Sequence, residues 1–236
     1  MNINIALHQR SRYHPLNWFK PNYRAVNDNG KVCGHHGDFR PLVAGGGWYS
    51  LSEGIKSRFD AMAENPALVR FIGTMEVKRS KIGVVFAWLC KIFGSPLTHH
   101  CGNDVPVTVD VFPVPSGGMC WQRIYNFNRH NKVTVQSIKL VDKEYGLLEC
   151  VGGGLGMRLN VFEKGGALHF KSNKYFFEML GFRISIPLII TPGAIHVVQS
   201  DVDAGFFRFY LSFNHPWFGQ TFYQNGVFTK EEKSNE

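Results

Sequence analysis

One apolar segment, residues 82–93 (IGVVFAWLCKIF), constrains the fold most, because a segment this hydrophobic must be covered. It contains no proline, and Gly94 and Pro96 follow it, which predicts a helix of about three turns that ends there. At ~1.5 Å per residue this helix is too short to cross a bilayer core of ~30 Å. Since apolar side chains occur on nearly every side of it, we expect it to be covered nearly all round.

Two arrangements would cover this helix. In the first, it is a core element enclosed by a curved sheet, which is the common position of an apolar helix. In the second, it lies partly sunk in a membrane surface, and basic side chains near its ends face lipid headgroups. These basic residues are Lys78, Arg79, Lys81 and Lys91.

The rest of the chain is typical of short strands separated by turn residues. One predicted strand, residues 68–78, precedes the apolar helix. The others follow it at residues 105–111, 121–127, 132–141, 147–151, 157–162, 167–170, 182–190, 194–202, 206–213 and 218–227. The roughly nine or ten short antiparallel strands after the helix already exceed what a flat sheet usually holds, so the sheet should curl or close. The predicted fold is α+β and mostly antiparallel β, with a strongly curved or barrel-like sheet packed around the one apolar helix.

Three regions are expected along the chain of 236 residues. Residues 1–47 are polar and irregular and end in the triplet Gly45-Gly46-Gly47, which predicts an N-terminal extension. Residues 48–228 form a single β-rich domain that opens with a helix ending near Pro66. Residues 229–236 (TKEEKSNE) form a polar tail.

The composition favours a globular protein with an aromatic interior. Hydrophobic residues make up 44% of the chain, and 11 of the 20 phenylalanines lie at or beyond Phe170. The C-terminal part must therefore build a thick aromatic core or a lined cavity. The net charge of +8 comes from scattered lysines and arginines with no basic block, so we expect no nucleic-acid partner.

Five widely spaced cysteines without a CxxC motif suit a reducing compartment. The first residues (MNINIALHQRSRY) lack the apolar stretch of a secretory signal. We therefore expect a cytoplasmic protein, associated with a membrane if the second arrangement of the helix holds. Oligomeric state cannot be inferred from these features.

Two short loops contain residue types that bind metals. They are CGHHGD, with Cys33, His35, His36 and Asp38, and THHCGND, with His99, His100, Cys101 and Asp104. Their spacing matches no standard zinc pattern, and adjacent histidines tend to point apart, so solvated loops are the alternative. The run Gly152-Gly153-Gly154 matches neither phosphate-loop pattern, and no GxSxG motif occurs. No cofactor or catalytic residue is indicated.

A candidate ligand site lies on the strand at 121–127. Period-two alternation places Trp121, Arg123 and Tyr125 on one face, and Glu149 lies on a nearby strand. A charged residue on an apolar face must be paired or face a polar cavity. Arg123 is therefore expected either to pair with Glu149 in the core or to bind the polar end of a ligand. Two further residues, Tyr210 and Tyr223, could add hydroxyls to such a pocket.

Several ordered sequence pieces carry a family resemblance over residues 71–228. They are FGSP, NDVPVTVDV, WQRIYNF, LLECVGGGLGMRL and LSFNHPWFGQTFYQNGVF. With them the chain resembles the bacterial domain of unknown function family 4166, whose members occur alone or behind reductase-like NAD(P)-binding domains. The resemblance implies no catalytic residue, because none is established for that family. Asp104, Trp121, Arg123 and Glu149 match its motifs, whereas the N-terminal extension and His99-His100-Cys101 depart from it.

These patterns favour non-catalytic binding of a hydrophobic or amphipathic, lipid-like small molecule in a cavity lined by the sheet, with Arg123 near its polar end. One alternative is a metal-assisted enzyme that uses the His/Cys loops. Another is a peripheral membrane or protein-interaction module that uses the helix with basic flanks.

Overall fold

The computed structural model describes residues 38–64, 68–90, 97–114, 117–128, 131–180, 182–203 and 205–231. Two α-helices occur in this part of the chain, α1 at Glu53–Glu64 and α2 at Lys81–Cys90. The strands are β1 (Val69–Arg79), β2 (Gly102–Pro113), β3 (Met119–Asn128), β4 (Asn131–Asp142), β5 (Gly146–Gly152), β6 (Leu155–Lys164), β7 (Ala167–Met179), β8 (Phe182–Ile186), β9 (Ala194–Asp201), β10 (Phe207–His215) and β11 (Gly219–Lys230). Short 3₁₀ segments lie at Arg40–Leu42, Ala44–Ser50 and Leu188–Ile190.

The strands form one sheet that closes on itself. Neighbouring strands are antiparallel in the order β6-β5-β4-β3-β2-β1-β11-β10-β9-β7, and β6 and β7 also pair with each other. That last pairing joins the two edges into a barrel of ten strands in the described part of the chain. β8 pairs with the end of β7 and lies outside the ring. The prediction of a mostly antiparallel, barrel-like sheet is confirmed.

The barrel has an apolar inside because its strands alternate buried and exposed side chains. In β1, for example, Phe71 and Val77 are buried, whereas Ile72 is exposed. Aromatic rings meet in the interior, where Phe71 and Phe207 approach edge to face at 5.2 Å and Phe207 stacks on Phe228 at 5.8 Å between ring centroids. The late phenylalanines thus build much of the core.

Helix α1 covers the end of the barrel at which β9 ends and β1 begins. Ile55 and Phe59 of α1 are buried, and the Phe59 ring lies 6.2 Å from the ring of Trp121 in β3. Asp201, the last residue of β9, caps this helix: its carboxylate accepts hydrogen bonds from Ser52 Oγ at 2.5 Å and from the Ile55 N–H at 3.2 Å. A carboxylate at this position satisfies free backbone N–H groups and matches the positive end of the helix.

Helix α2 covers the opposite end, where β1 ends and β11 begins. Ser80 Oγ caps it by accepting a hydrogen bond from the Gly83 N–H at 3.1 Å. The Phe86 ring packs 5.5 Å from the His215 ring of β10. Gly83 lets the helix lie close to β11, because a Cβ there would overlap the carbonyl oxygen of Thr221.

One side of α2 faces solvent, which differs from the predicted cover on nearly every side. The exposed fractions are 42% for Val84, 49% for Val85, 65% for Trp88 and 43% for Leu89. The prediction that the sheet packs around this helix is not confirmed, because inward side chains of ten strands fill the barrel and the helix lies across its end. The last part of the predicted helix, after Cys90, lies outside the described residues.

The predicted boundaries also differ from the structure. The N-terminal extension lies outside the described residues up to residue 37, but beyond it Phe39 and Val43 are buried, and Val43 bridges to Val161 of β6. At the other end, Thr229 pairs with β1 inside the sheet, although it was expected to begin the polar tail. Residues on both sides of 48–228 thus contact the sheet: Phe39 and Val43 pack against it, and Thr229 pairs within it.

The predicted strand at 182–190 is shorter than expected. β8 ends at Ile186, and Pro187 and the 3₁₀ segment Leu188–Ile190 follow it. Proline lacks the N–H that a ladder needs, so the strand stops before it.

We predict that Gly83→Ala lowers the free energy of unfolding by about 2 kcal/mol or more, because the added methyl forces α2 away from the Thr221 carbonyl. Urea unfolding followed by circular dichroism measures the change. Val84→Ala is the matched control on the same helix, and it should cost less than about 1 kcal/mol because Val84 is exposed. Equal stability of Gly83→Ala and wild type would contradict the close approach.

Candidate functional site

The barrel encloses a cavity of about 80 Å³ with a largely apolar wall. Phenylalanines from β1, β7, β10 and β11 form much of this wall, with Met75, Trp121 and Met157 between them. The polar lining residues are Thr98, Arg123, Tyr125, Lys139, Glu149, Tyr175, Gln199 and Gln224. A few convergent polar groups in an apolar cavity are typical of a small-molecule site.

Three charged side chains form a cluster in one part of the wall. Lys139 of β4 lies directly opposite Glu149 of β5 in the sheet, and Lys139 Nζ lies 2.9 Å from Glu149 Oε1. The Lys139 ammonium also lies 5.2 Å from the centre of the Trp121 ring, a cation–π contact. Arg123 Nη2 donates a hydrogen bond to Ser137 Oγ at 2.9 Å. We call Arg123, Lys139 and Glu149 the interior charge cluster.

The electrostatics of this cluster follow from burial and from its unequal charges. Burial alone would raise the pKa of Glu149, but the positive charges of Lys139 and Arg123 outweigh it, so this pKa is lowered. Burial lowers the pKa of Lys139, because the attraction of Glu149 only partly offsets the loss of water and Arg123 repels the ammonium. Glu149 is therefore ionised at neutral pH, and two basic groups share one carboxylate.

Several polar atoms of the cavity wall are buried without a hydrogen-bond partner among the described residues. They are Arg123 Nε, Glu149 Oε2 and Gln199 Oε1. Each such atom costs roughly 1–3 kcal/mol if nothing pairs with it. The donors and acceptors for a further polar group therefore already line the cavity.

The two tyrosines of the cavity wall are occupied and protonated. Gln224 Nε2 donates to the Tyr125 hydroxyl oxygen at 2.9 Å, and the Tyr175 hydroxyl donates to the Gly193 carbonyl at 2.7 Å. Burial raises the pKa of both hydroxyls. They shape the wall and do not supply a base.

The structure brings four of the predicted ligand-binding residues together in the cavity wall: Trp121, Arg123, Tyr125 and Glu149. The predicted Arg123–Glu149 pair is replaced by Lys139–Glu149, because Lys139 is the residue that lies opposite Glu149 in the ladder. Alternation in residues 132–141 puts Lys139 on the same face as Val133 and Val135, but Ile138 and Leu140 make the other face apolar beside it, so the pattern is ambiguous at Lys139. A lysine directly opposite a glutamate on the neighbouring strand would have indicated the pair, but recognising it requires the strand register.

Tyr210 and Tyr223 do not line this cavity. Their neighbours Phe209 and Phe222 face inward, so period-two alternation turns both tyrosines to the outer face of the sheet. There the two rings meet edge to face at 5.6 Å. In β10 the alternation groups Tyr210 with Arg208, Ser212 and Asn214, so this pattern could have assigned it to the outer face. In β11 both faces mix polar and apolar residues, so hydrophobicity alone does not assign Tyr223.

The predicted metal ligands are not assembled. Within the described residues, no group of three His, Cys, Asp or Glu side chains could hold a metal ion. The His100 ring packs on the Phe127 ring at 5.2 Å between centroids, and Cys101 and Asp104 are exposed. Of the other predicted cluster, Cys33, His35 and His36 lie outside the described residues, and Asp38 forms an ion pair with Arg40 at 2.8 Å.

Comparison with known proteins gives the family. The family model "Domain of unknown function (DUF4166)" matches residues 51–228. The chain belongs to this family. The match confirms the resemblance and extends it to α1. No curated protein matches this member of the DUF4166 family.

One crystal structure, of a mutant of the fluorescent protein UnaG, is similar to this family member. The two share 9% sequence identity over 70% of this chain and 95% of that one, at a TM-score of 0.30. At this TM-score the likeness supports no functional conclusion.

We predict that Glu149→Gln destabilises the barrel by about 3–5 kcal/mol, because two buried basic groups lose their shared carboxylate. Lys139→Met combined with Glu149→Gln should recover most of this loss, since the pair is then removed together. Urea unfolding of the three proteins measures both effects. A single variant as stable as wild type would contradict the role of Glu149 as counter-charge.

The difference in unfolding free energy between wild type and the double variant should depend on pH. Because the pKa of Glu149 is lowered in the folded state, its contribution to stability is present above the unfolded value of about 4.3 and is lost as pH falls through the lower folded value. Wild type should therefore lose more stability than the double variant over this acid range, as measured by urea unfolding at a series of pH values.

Proposed function

We propose that the barrel binds a small amphipathic molecule without changing it chemically, and that an anionic group of this molecule lies against Arg123 and Lys139. The observation that carries the proposal is the interior charge cluster, in which Arg123 and Lys139 lie near one carboxylate and Lys139 already contacts it at 2.9 Å. The guanidinium of Arg123, whose Nε is buried, therefore has no ion pair of its own among the described residues, which is costly unless an anion pairs with it. A ligand carboxylate, phosphate or sulfonate would supply that charge.

The guanidinium of Arg123 is suited to this role. Its Nη2 is engaged with Ser137, but its Nε has no partner among the described residues. Arginine presents its donors as a planar fork that fits two oxygens of one anionic group. The apolar remainder of the ligand would then contact the phenylalanine wall.

The cavity must widen to accept such a ligand, since ~300–1,000 Å³ is usual for small-molecule sites and this one measures about 80 Å³. Met75 and Met157 in its wall have flexible side chains that adapt to irregular shapes. Binding would therefore involve side-chain rearrangement within the closed sheet.

The chemistry of the wall supports binding over catalysis. Cys90 is the thiol in the cavity wall, and burial raises its pKa to about 11. The thiolate is the reactive form, so this cysteine is inert at neutral pH. The Lys139 amine, a second nucleophile type in this wall, is held in its ion pair with Glu149 at 2.9 Å. Tyr125 and Tyr175 are likewise protonated and already hydrogen-bonded.

We predict that Arg123→Gln weakens binding of a long-chain carboxylate by about tenfold or more, because a charged hydrogen bond is lost. Binding of the uncharged methyl ester should change less than about twofold. Displacement of a fluorescent probe measures both affinities. Arg208→Gln, on the exposed outer face of β10, is the control and should bind the carboxylate like wild type.

Native mass spectrometry of freshly purified protein, followed by solvent extraction, tests the ligand directly. A reproducible extra mass that extracts as an amphipathic anion would support the proposal. A bare protein that binds no anionic or neutral amphiphile would overturn it.

We also infer a second function, contact with an anionic membrane surface through the α2 end of the barrel. The observation that favours it is a group of exposed apolar side chains on three neighbouring segments that meet around buried His215. Its members are Val84, Val85, Trp88, Leu89, Leu188, Ile190, Trp217 and Phe218, which we call the α2-end patch. The segments 80–90, 187–193 and 215–220 contain no acidic residue, and Lys81 is exposed at the edge. Tryptophan beside a basic side chain suits the lipid headgroup region.

We predict that replacing both Trp88 and Trp217 with serine reduces flotation with vesicles that contain phosphatidylglycerol by about tenfold. Tyr49→Ser, which removes an aromatic residue that is 85% exposed elsewhere, is the control and should float like wild type. Vesicles of phosphatidylcholine alone should retain less protein. Wild type that does not float, or that forms a dimer through this patch, would contradict the membrane assignment. No helix in the described part of the chain is long and apolar enough to span a membrane.

A further inference from the structure

A second pocket, of about 540 Å³, opens on the surface beside α1. Gly54, Ser57 and Arg58 of α1 form one side of it, and Phe206, Phe207 and Lys230 lie on the barrel side. The pocket is distinct from the interior cavity and already has the volume of a small-molecule site. It is called the outer pocket below.

Arg58 in this pocket is buried but poorly paired. Its nearest carboxylate oxygen, Asp201 Oδ1, lies 3.7 Å from Nη1, and the other oxygen of Asp201 caps α1. Arg58 Nε and Nη2 have no hydrogen-bond partner among the described residues. The guanidinium carbon instead lies 3.9 Å from the centre of the Phe207 ring.

Another arginine of the chain provides the contrast. Arg70 binds Asp110 through two parallel hydrogen bonds, Nε to Oδ1 at 2.6 Å and Nη2 to Oδ2 at 3.0 Å. That geometry is typical of an arginine that stabilises a fold. Arg58 lacks it, although its side chain is only 11% exposed compared with 42% for Arg70. Burial lowers the pKa of Arg58 to about 10, so it keeps its charge at neutral pH.

The wall between the outer pocket and the interior cavity is thin. Phe71 and Phe207 line both spaces, and their rings meet edge to face at 5.2 Å. A rotation of the Phe207 side chain would connect the two spaces. The ring that would move is the one against which the Arg58 guanidinium lies.

We propose that the outer pocket is the portal of the barrel, and that Arg58 receives the anionic group of an amphipathic ligand while its apolar chain passes between Phe71 and Phe207. This inference rests on the proposed function of the interior cavity. It assigns different tasks to the two arginines: Arg58 acts during passage, and Arg123 acts in the bound state. Lys230 at the rim adds positive charge at the opening.

A stability measurement separates this role from a structural one. Arg58→Gln should melt within a few degrees of wild type, because the buried guanidinium has no hydrogen-bonded carboxylate and its Nε and Nη2 have no partner among the described residues. Arg70→Gln, which breaks a bidentate pair, should melt at a lower temperature. If Arg58→Gln melts as low as Arg70→Gln, Arg58 is a structural residue and the proposal is overturned.

Stopped-flow kinetics with decanoate tests the portal directly. An interaction that stabilises only the transition state of passage lowers the barriers to entry and to exit by the same amount. Its removal therefore slows association and dissociation by the same factor. Arg58→Gln should therefore slow association and dissociation of decanoate together, by about fivefold to tenfold, and leave Kd within twofold. Methyl decanoate should show unchanged rates, and Phe207→Ala should accelerate both probes in both directions. Arg58→Lys should restore part of the rate, and Arg208→Gln should behave like wild type.

The outcomes distinguish the portal from the proposed function. Decanoate binding that depends on Arg123 but has rates insensitive to Arg58 would overturn the portal and leave the cavity site intact. A change in Kd without matched changes in both rates would place the bound anion at Arg58 and would also overturn it. Failure of wild type to bind decanoate, decyl phosphate or decyl sulfate would overturn both proposals.

Discussion

The pairing of β6 with β7 is the contact on which the rest of this structure depends. It turns a long antiparallel sheet into a closed ring, so no strand edge remains unpaired within the ring and inward side chains are removed from bulk water. In an open sheet, Arg123, Lys139 and Glu149 could all reach solvent. In the closed barrel, their charges must be balanced by one another or by something that enters the cavity.

The sequence predicted the sheet better than it predicted the helices. Period-two alternation placed Trp121, Arg123 and Tyr125 on the same face, because alternate residues of a strand point to the same side, and all three line the cavity. It did not decide the orientation where both faces mix polar and apolar residues, as with Tyr223 on β11. Only the register, which depends on turns and on the partner strand, decides which of two apolar rows points inward.

Helix α2 illustrates a different limit. Its apolar composition required a cover, and the expectation was that this cover belonged to the same chain. Once ten strands have filled the interior with phenylalanine, no space remains for a helix, so α2 can bury only one side against the barrel end. Trp88 and its apolar neighbours therefore stay exposed in the fold of the described residues. An exposed apolar surface of this kind favours an external partner.

Arginines in this barrel differ according to how well their charge is balanced. Arg70 has a bidentate carboxylate, and Arg123 has a hydroxyl but lies near a carboxylate that Lys139 contacts. Arg58 has an aromatic ring and a carboxylate too distant for a hydrogen bond. A buried guanidinium with so few hydrogen-bonded partners lowers stability. Its presence is therefore better explained by a role other than stabilising the fold. Arg58 and Arg123 lie on opposite sides of the Phe71–Phe207 partition, at the outer pocket and in the cavity. One anionic ligand that passes from the first to the second accounts for both incompletely paired guanidinium groups.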